Sequence, residues 1–400
     1  MPQFFFRCYP WDLEEEGIEA ALDRMAELGV DAASIVTVHH RVSELRPRAT
    51  FGRRVTEMEA GAHFIPTRKC YVNTRIRPTS AGWMKSRNPL EKIVRQAERR
   101  GVKLRASLSC CRSDAMVAKY PDAACVNVFG APSAERLCPA IPDVREYAGA
   151  LVEDLSTNYP FETLEVSHAD FGNGEDFQRY LTRGVTPGAA DRALWSWCFC
   201  AACRQRAADA GLDVEATAEK VREHLERMLR LEPPTHATFE SWPVAEASLA
   251  AYQRMRVEAV TSLAKSIRSR TKARLVLDLN LPSWTCGVNM EHLREQADGF
   301  MLAFPGGEAL SAESRYAEET NLRMSFDDSV RAAGGAGRVD VSVLCCPPGA
   351  RDGPSLVATV HRARQAGHAS IGFFNYGLAP EPCLDWVRQA VRFAKREDAV

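Results

Sequence analysis

The sequence predicts an α/β chain folded as a (β/α)8, or TIM, barrel with long insertions after strands 2 and 4. Three observations predict it. Eight short apolar runs are spread along the 400 residues, amphipathic segments with three-and-four spacing separate most of them, and the connecting turns are short except in two places.

Residues 3–9 read as strand 1, and 13–28 as a helix in which Ile18, Ala21, Leu22 and Met25 share one face and Gly29 supplies the stop. Strand 2 covers 32–38 and leaves His39 and His40 at its carboxyl end. Residues 41–87 are rich in Arg, Thr, Pro and Gly without a long periodic pattern, so they are expected as an insertion over the barrel mouth. A helix over 90–99 ends at Gly101 and leads into strand 3 at 102–109. A loop through Asp114 and Asn127, a helix over 143–159 and strand 4 at 163–167 follow.

The next connection, residues 168–271, is expected as a helical insertion, with helices near 215–230 and 244–270. Regular alternation returns with strands at 274–279, 299–304, 339–344 and 370–375, and helices near 289–296, 311–334, 355–366 and 383–395. The stretch 332–337, rich in glycine, reads as a loop. One barrel domain over 1–400 accounts for the whole pattern.

Lys and Arg number 51 against 52 Asp and Glu, a net charge of -1, so nothing points to nucleic acid. No run reaches the roughly 20 apolar residues of a spanning helix, and the opening residues lack the pattern of a secretory leader. With 46% hydrophobic residues and a mean hydropathy of -0.26, a soluble cytoplasmic protein with no membrane partner is expected. The 13 cysteines are odd in number and include the adjacent pairs Cys110-Cys111 and Cys345-Cys346, which suits a reducing compartment.

Strand parity predicts an unusually polar barrel interior. If Leu164 and Val166 face the helices, Glu165 and Ser167 face inward; if Leu275, Leu277 and Leu279 face out, Asp278 and Asn280 face in. The same counting turns Arg105, Ser107, Ser109 and Arg7 inward. Buried charges must pair, reach water or contact a polar ligand. Arg105 and Glu165 stand on neighbouring strands and can pair, while Asp278 lies nearer a strand end, where barrel enzymes keep reactive groups.

Asp170, just past strand 4 in His168-Ala169-Asp170-Phe171-Gly172, could exchange a proton with substrate or simply cap a turn, and His168 could titrate beside it. Trp11 follows strand 1, Trp284 follows strand 5, and Phe374-Asn375-Tyr376-Gly377 closes strand 8. Aromatic faces beside a polar pocket suit sugar rings, although packing is the commoner fate of any single aromatic. Cys345 at the end of strand 7 lacks a neighbouring base and reads as a buried, inert thiol.

Cys198, Cys200 and Cys203 form Cys-x-Cys-x-x-Cys, with Cys138 upstream in Leu137-Cys138-Pro139. Clustered thiols at this spacing in a reduced protein point to a soft metal, zinc above all, and four thiolates leave no open position for chemistry.

Leu137-Cys138-Pro139, the run from Pro142 to Tyr147, strand 4 and the Cys-x-Cys-x-x-Cys-Arg motif together resemble the catalytic barrel of family 42 β-galactosidases and related glycosyl hydrolase-like proteins. The resemblance covers roughly 137–206 and the final strand. It implies a structural zinc on Cys138, Cys198, Cys200 and Cys203, a sugar or glycoside as small-molecule partner, and a homo-oligomer. Where those enzymes end strand 4 in Asn-Glu, this chain has Ser167-His168-Ala169-Asp170, so only Asp170 approximates the acid/base. Where they place a nucleophilic Glu after strand 7, this chain has Cys345-Cys346-Pro347.

The expected function is a glycoside hydrolase-like enzyme acting on a glycoside or another hydroxyl-rich small molecule. Asp170, Glu165 and Asp278 supply the carboxyl groups, and His39, His40, Arg105, His168, Asn280, Trp284, Asn375 and Tyr376 bind substrate. Two alternatives stand beside it: a lyase or isomerase of a polar metabolite on the same barrel, and a catalytically silent sugar-binding protein.

Overall fold

The structure, a computed structural model, describes residues 1–172, 184–185, 187–232, 246–280, 284–305 and 324–396. Eight parallel strands close on themselves: β1 (Gln3–Cys8), β2 (Ala32–His39), β3 (Lys103–Ser109), β4 (Thr163–Ser167), β5 (Arg274–Asn280), β6 (Gly299–Ala303), β7 (Val339–Leu344) and β8 (Ser370–Phe374). Each pairs with its successor, and β1 pairs with β8, which completes the ring predicted from the alternation of strands and helices.

The period-two alternation of strand side chains sorts the apolar residues into two cores. Phe4, Phe6, Leu164, Val166, Leu275, Leu277, Val339 and Val341 join the large cluster between the strands and the surrounding helices. Phe5, Ala32, Val276 and Met301 form a separate small cluster inside the barrel. Gly372 of β8 is required there, because a Cβ at that position would fall 2.1 Å from the Phe5 ring.

Several connections differ from expectation. The helix expected over 13–28 is two helices, Pro10–Glu16 and Ile18–Leu28, because Gly17 sits at φ 95° between them. The expected loop through Asp114 and Asn127 contains a helix, Asp114–Lys119, and a hairpin of Ala124–Val126 with Pro132–Leu137. The helix near 289–296 shortens to Met290–Leu293. Of the helix expected near 311–334, Phe326–Ala333 is described, while 306–323 lie outside the described residues.

After β2 the chain forms a second hairpin, Val42–Leu45 with Val55–Met58, and then a two-residue strand, Gly61–Ala62, that pairs antiparallel with Val38 and His39 at the end of β2. Between β4 and β5 the described helices are Ala189–Trp195, Ala201–Asp209, Val214–Leu229 and Ala247–Arg268.

Candidate active site

The barrel interior is held by alternating charges. Arg7 Nη2 donates to Glu165 Oε2 and to Asp278 Oδ2, each at 2.8 Å. Glu165 also accepts from Arg105 Nε at 2.5 Å and from Ser34 Oγ at 2.8 Å. Arg105 continues to Asp340, whose two oxygens accept at 2.8 Å from Arg274 Nη1 and Nη2. Three arginines therefore meet three carboxylates, which is how so polar an interior avoids uncompensated charge.

The two ends of this network differ. Arg105 is fully buried and bonds Gln3 and Ser370, the first residues of β1 and β8, so it reaches toward the amino end of the barrel, away from the mouth where substrate was expected to meet it. Glu165 is fully buried as well. Burial works to raise its pKa, but Arg105, Arg7 and Ser34 outweigh it and hold the carboxyl below the usual range, ionised. Burial likewise opposes the charge on Arg7, and Asp278 and Glu165 more than offset it. Asp278 is the interior carboxylate nearest a strand's carboxyl end, with its side chain 8% exposed.

Above this network, the ends of β1 and β2 carry aromatics and histidines. Tyr9 and Trp11 stack with centroids 4.4 Å apart, His39 meets Tyr9 edge-on at 5.4 Å, and His39 stacks on His40 at 4.0 Å. His40 in turn meets His168 edge-on at 5.4 Å, so the three predicted histidines do come together. His168 has a left-handed backbone, φ 54°, and its Nδ1 lies 3.0 Å from Ser109 Oγ. Burial pushes His39 down to about 4 and His168 well below its ordinary value, with Arg112 and other cations acting in the same direction. Both rings are neutral at neutral pH.

A fourth histidine, absent from the sequence reading, stands beside this row. His63 is fully buried, accepts from Trp83 Nε1 at Nδ1 (3.2 Å), and meets Trp11 edge-on at 5.1 Å. Burial lowers its pKa to about 3, so the neutral ring carries its proton on Nε2, a buried donor with no hydrogen-bond partner among the described residues.

The remaining expected residues divide. Asp170 caps its own turn, accepting from the Gly172 amide at 2.7 Å, and lies 3.6 Å from Arg136. Tyr376 is buried with its hydroxyl on both oxygens of Glu16 (2.8 and 2.9 Å) and Arg48 stacked on its ring, so that face and hydroxyl are already in use. Asn375 is buried; its Oδ1 accepts from the Gly377 amide, and its Nδ2 has no hydrogen-bond partner among the described residues. The side chains of Asn280 and Trp284 lie outside the described part of the structure.

The hairpin after β2 brings in a carboxyl that the sequence reading passed over. Arg46 bonds Asp12 and Glu15 of the first helix, and Arg48 bonds Glu16 and the carbonyls of Tyr376 and Ala379, so the hairpin is tied across the loops after β1 and β8. Glu44, in its first strand, is buried facing Tyr9 and Trp11. The alternation of Val42, Ser43, Glu44 and Leu45 was the available signal, although four residues are few for a periodic argument. Asp340 was more legible: Val339, Val341 and Val343 facing the helices turn it inward.

Away from the mouth, Cys138 Sγ lies 3.5, 3.7 and 3.6 Å from the sulfurs of Cys203, Cys198 and Cys200, and all four lie within 4.8 Å of one another. These separations exclude disulfides and match the roughly 3.8 Å edge of a tetrahedron with metal–sulfur bonds near 2.3 Å. The cluster could therefore hold a metal ion. It joins the hairpin before Cys138 to the start of the Ala201–Asp209 helix, and Tyr252 of the long Ala247–Arg268 helix braces it through the Cys198 carbonyl.

No protein-family model matches the chain, and no curated protein matches it. Among solved structures, the fold is similar to that of a β-galactosidase from Bacillus circulans sp. alkalophilus (TM-score 0.56, 13% identity, 98% of this chain and 55% of that one). It is similar also to α-L-fucosidase isoenzyme 2 from Paenibacillus thiaminolyticus (0.55, 10%, 100% and 50%) and to the catalytic domain of a Paenibacillus polymyxa β-amylase (0.57, 10%, 97% and 97%). The chain spans about half the length of the first two. What these structures share with the chain is the (β/α)8 barrel fold, and the narrower resemblance to family 42 stays with its cysteine motif.

Proposed function

We propose that the protein is a glycoside hydrolase-like enzyme acting on a glycoside or a similar hydroxyl-rich small molecule. The observation that supports this most is Asp278, a carboxylate held by Arg7 at the mouth side of the barrel interior, beneath a wall of aromatic and histidine side chains. The enzymes named above act on sugars, as their names state, and share the barrel. In this reading Asp278 is the carboxylate that accepts a proton from attacking water. Asp170, just past β4, is the further carboxylate beside the substrate, and His39, His40 and His168 hydrogen-bond its hydroxyls, His39 and His168 as neutral rings.

Glu165 and Arg105 are assigned to support: Arg105 holds Glu165, which holds Arg7, which holds Asp278. The four cysteines are assigned to a structural zinc, a set with no open coordination position and hence no part in the reaction.

A second reading rests on the histidines. His39, His63 and His168 are all held neutral and can pass protons, which suits an isomerase or lyase of a polar metabolite. Mass analysis of products separates the two. Incubation with a broad glycoside panel and with free sugars should yield products heavier by one water in total; conversion without added water would select the second reading, and no conversion of either kind would remove both.

A further inference from the structure

Two of the three histidines at the mouth have their protons placed by their hydrogen bonds. His39 Nδ1 lies 3.0 Å from the His40 carbonyl oxygen, which can only accept, so Nδ1 carries the proton. His168 Nδ1 lies 3.0 Å from Ser109 Oγ, whose single proton is donated to the Arg112 carbonyl at 3.0 Å, so Nδ1 is the donor there too. Both rings are neutral, held so first by burial and then by guanidinium groups nearby. In each ring Nε2 is left with a bare lone pair.

These two nitrogens are open. Both rings are half-buried, neither Nε2 has a hydrogen-bond partner among the described residues, and neither is enclosed as His63 Nε2 is. Their spacing is set by His40, whose ring centroid lies 4.0 Å from that of His39 in a stack and 5.4 Å from that of His168 edge-on. The backbone of His168 is left-handed at φ 54°, and the Cys111 amide holds it there through the His168 carbonyl at 3.0 Å. A residue other than glycine takes that conformation at a cost, and such positions cluster where a side chain has to be aimed at a ligand.

Two bare acceptors require a ligand with two donors. An ammonium group is disfavoured, because Arg7 and Arg112 act on His39, and Arg136 and Arg112 on His168, and the same charges repel a further cation. A metal ion lacks its ligands here: among the described residues, the cysteine set is the one group of three or more ligating atoms gathered within 4.8 Å. Neutral hydroxyl groups remain.

We propose that His39 Nε2 and His168 Nε2 are paired acceptors that select a neutral ligand by two of its hydroxyl hydrogens. The site then takes a sugar ring free at those two positions and turns away its ethers, sulfates and phosphates there. The inference rests on the hydrolytic reading and gives these two bonds a direction: the sugar donates and the protein accepts.

The test has two arms. Nitrogen-15 NMR of the histidine-labelled wild type at neutral pH reads the tautomers, with the two rings assigned by comparison with His39→Phe and His168→Phe. A proton on Nδ1 and none on Nε2 is expected in both; a proton on either Nε2 overturns the inference and leaves the hydrolytic reading intact. In the second arm, KM is measured on p-nitrophenyl glycosides of the common hexoses and on their mono-O-methyl ethers. For a glycoside that the wild type hydrolyses, etherification at two positions should raise KM by about 10-fold, the loss of one hydrogen bond each. One penalty should vanish in His39→Phe and the other in His168→Phe, since phenylalanine keeps the ring and removes the acceptor. Ethers hydrolysed as well as the parent, or penalties that survive in the phenylalanine variants as a steric clash would, overturn the inference and spare the hydrolytic reading. If a variant does not fold, the wild-type spectrum, assigned through its backbone, still decides. No hydrolysis of any glycoside by the folded wild type ends the hydrolytic reading and the inference together.

Discussion

Arg7 Nη2 lies 2.8 Å from Asp278 Oδ2, tying the first strand of the barrel to the fifth, which stands opposite it in the ring. The same nitrogen reaches Glu165, so one cation neutralises two carboxylates inside the barrel. Removing it leaves buried charge uncompensated. Arg7→Met is expected to lower unfolding free energy by about 3–5 kcal/mol, read from urea denaturation at neutral pH. A loss below about 1 kcal/mol would mean that water already solvates these groups.

The titrating groups at the mouth pull stability in opposite directions with pH. His39 and His63 sit at about 4 and about 3, below the roughly 6.5 of an unfolded histidine, so the unfolded chain takes up protons first. Their contribution is complete above about pH 6.5 and is lost as pH falls toward 4, by about 1.4 kcal/mol per pH unit for each. His63→Asn should therefore lose less stability than the wild type over that interval. Urea midpoints taken at half-unit steps would show the difference in slope, and parallel curves would contradict it.

Glu44 runs the other way. Its folded value of about 7 lies above the roughly 4.3 of an unfolded glutamate, so its contribution is present below that lower value and is lost as pH rises through 7. Relative to the wild type, Glu44→Gln should gain stability steadily between pH 4.5 and 7. A pH-independent difference would place the group in water.

The cysteine cluster predicts one zinc per chain by elemental analysis, lost in Cys138→Ser. Removal of the metal should lower the thermal midpoint and speed amide exchange around 198–204, while turnover per folded molecule stays within about twofold, because a four-thiolate site has no open position. A metal-free wild type as stable as the loaded protein would contradict this assignment.

The strands of the barrel were legible because each carries its own periodic signal, and parity carried Arg7, Arg105, Glu165 and Asp278 to the interior. Parity does not say how far along the barrel axis a long side chain reaches, which is why Arg105 was expected near substrate and is found toward the amino end. Tyr376 lies where expected along the chain, but its environment is set by Glu16 and Arg48, more than 300 positions away. Glu44 was hidden for a similar reason: its burial depends on Arg46 gripping a helix some 30 residues earlier. The break at Gly17 was a local signal outweighed by the apolar spacing on either side of it.

The most direct measurement is the rate of reducing-sugar release from a glycoside panel by the wild type and by Asp278→Asn, with folding of both checked by circular dichroism. The account predicts release by the wild type from at least one glycoside and a fall of about 100-fold or more in the variant. Equal rates in the two proteins, or no release by a folded wild type, would contradict it.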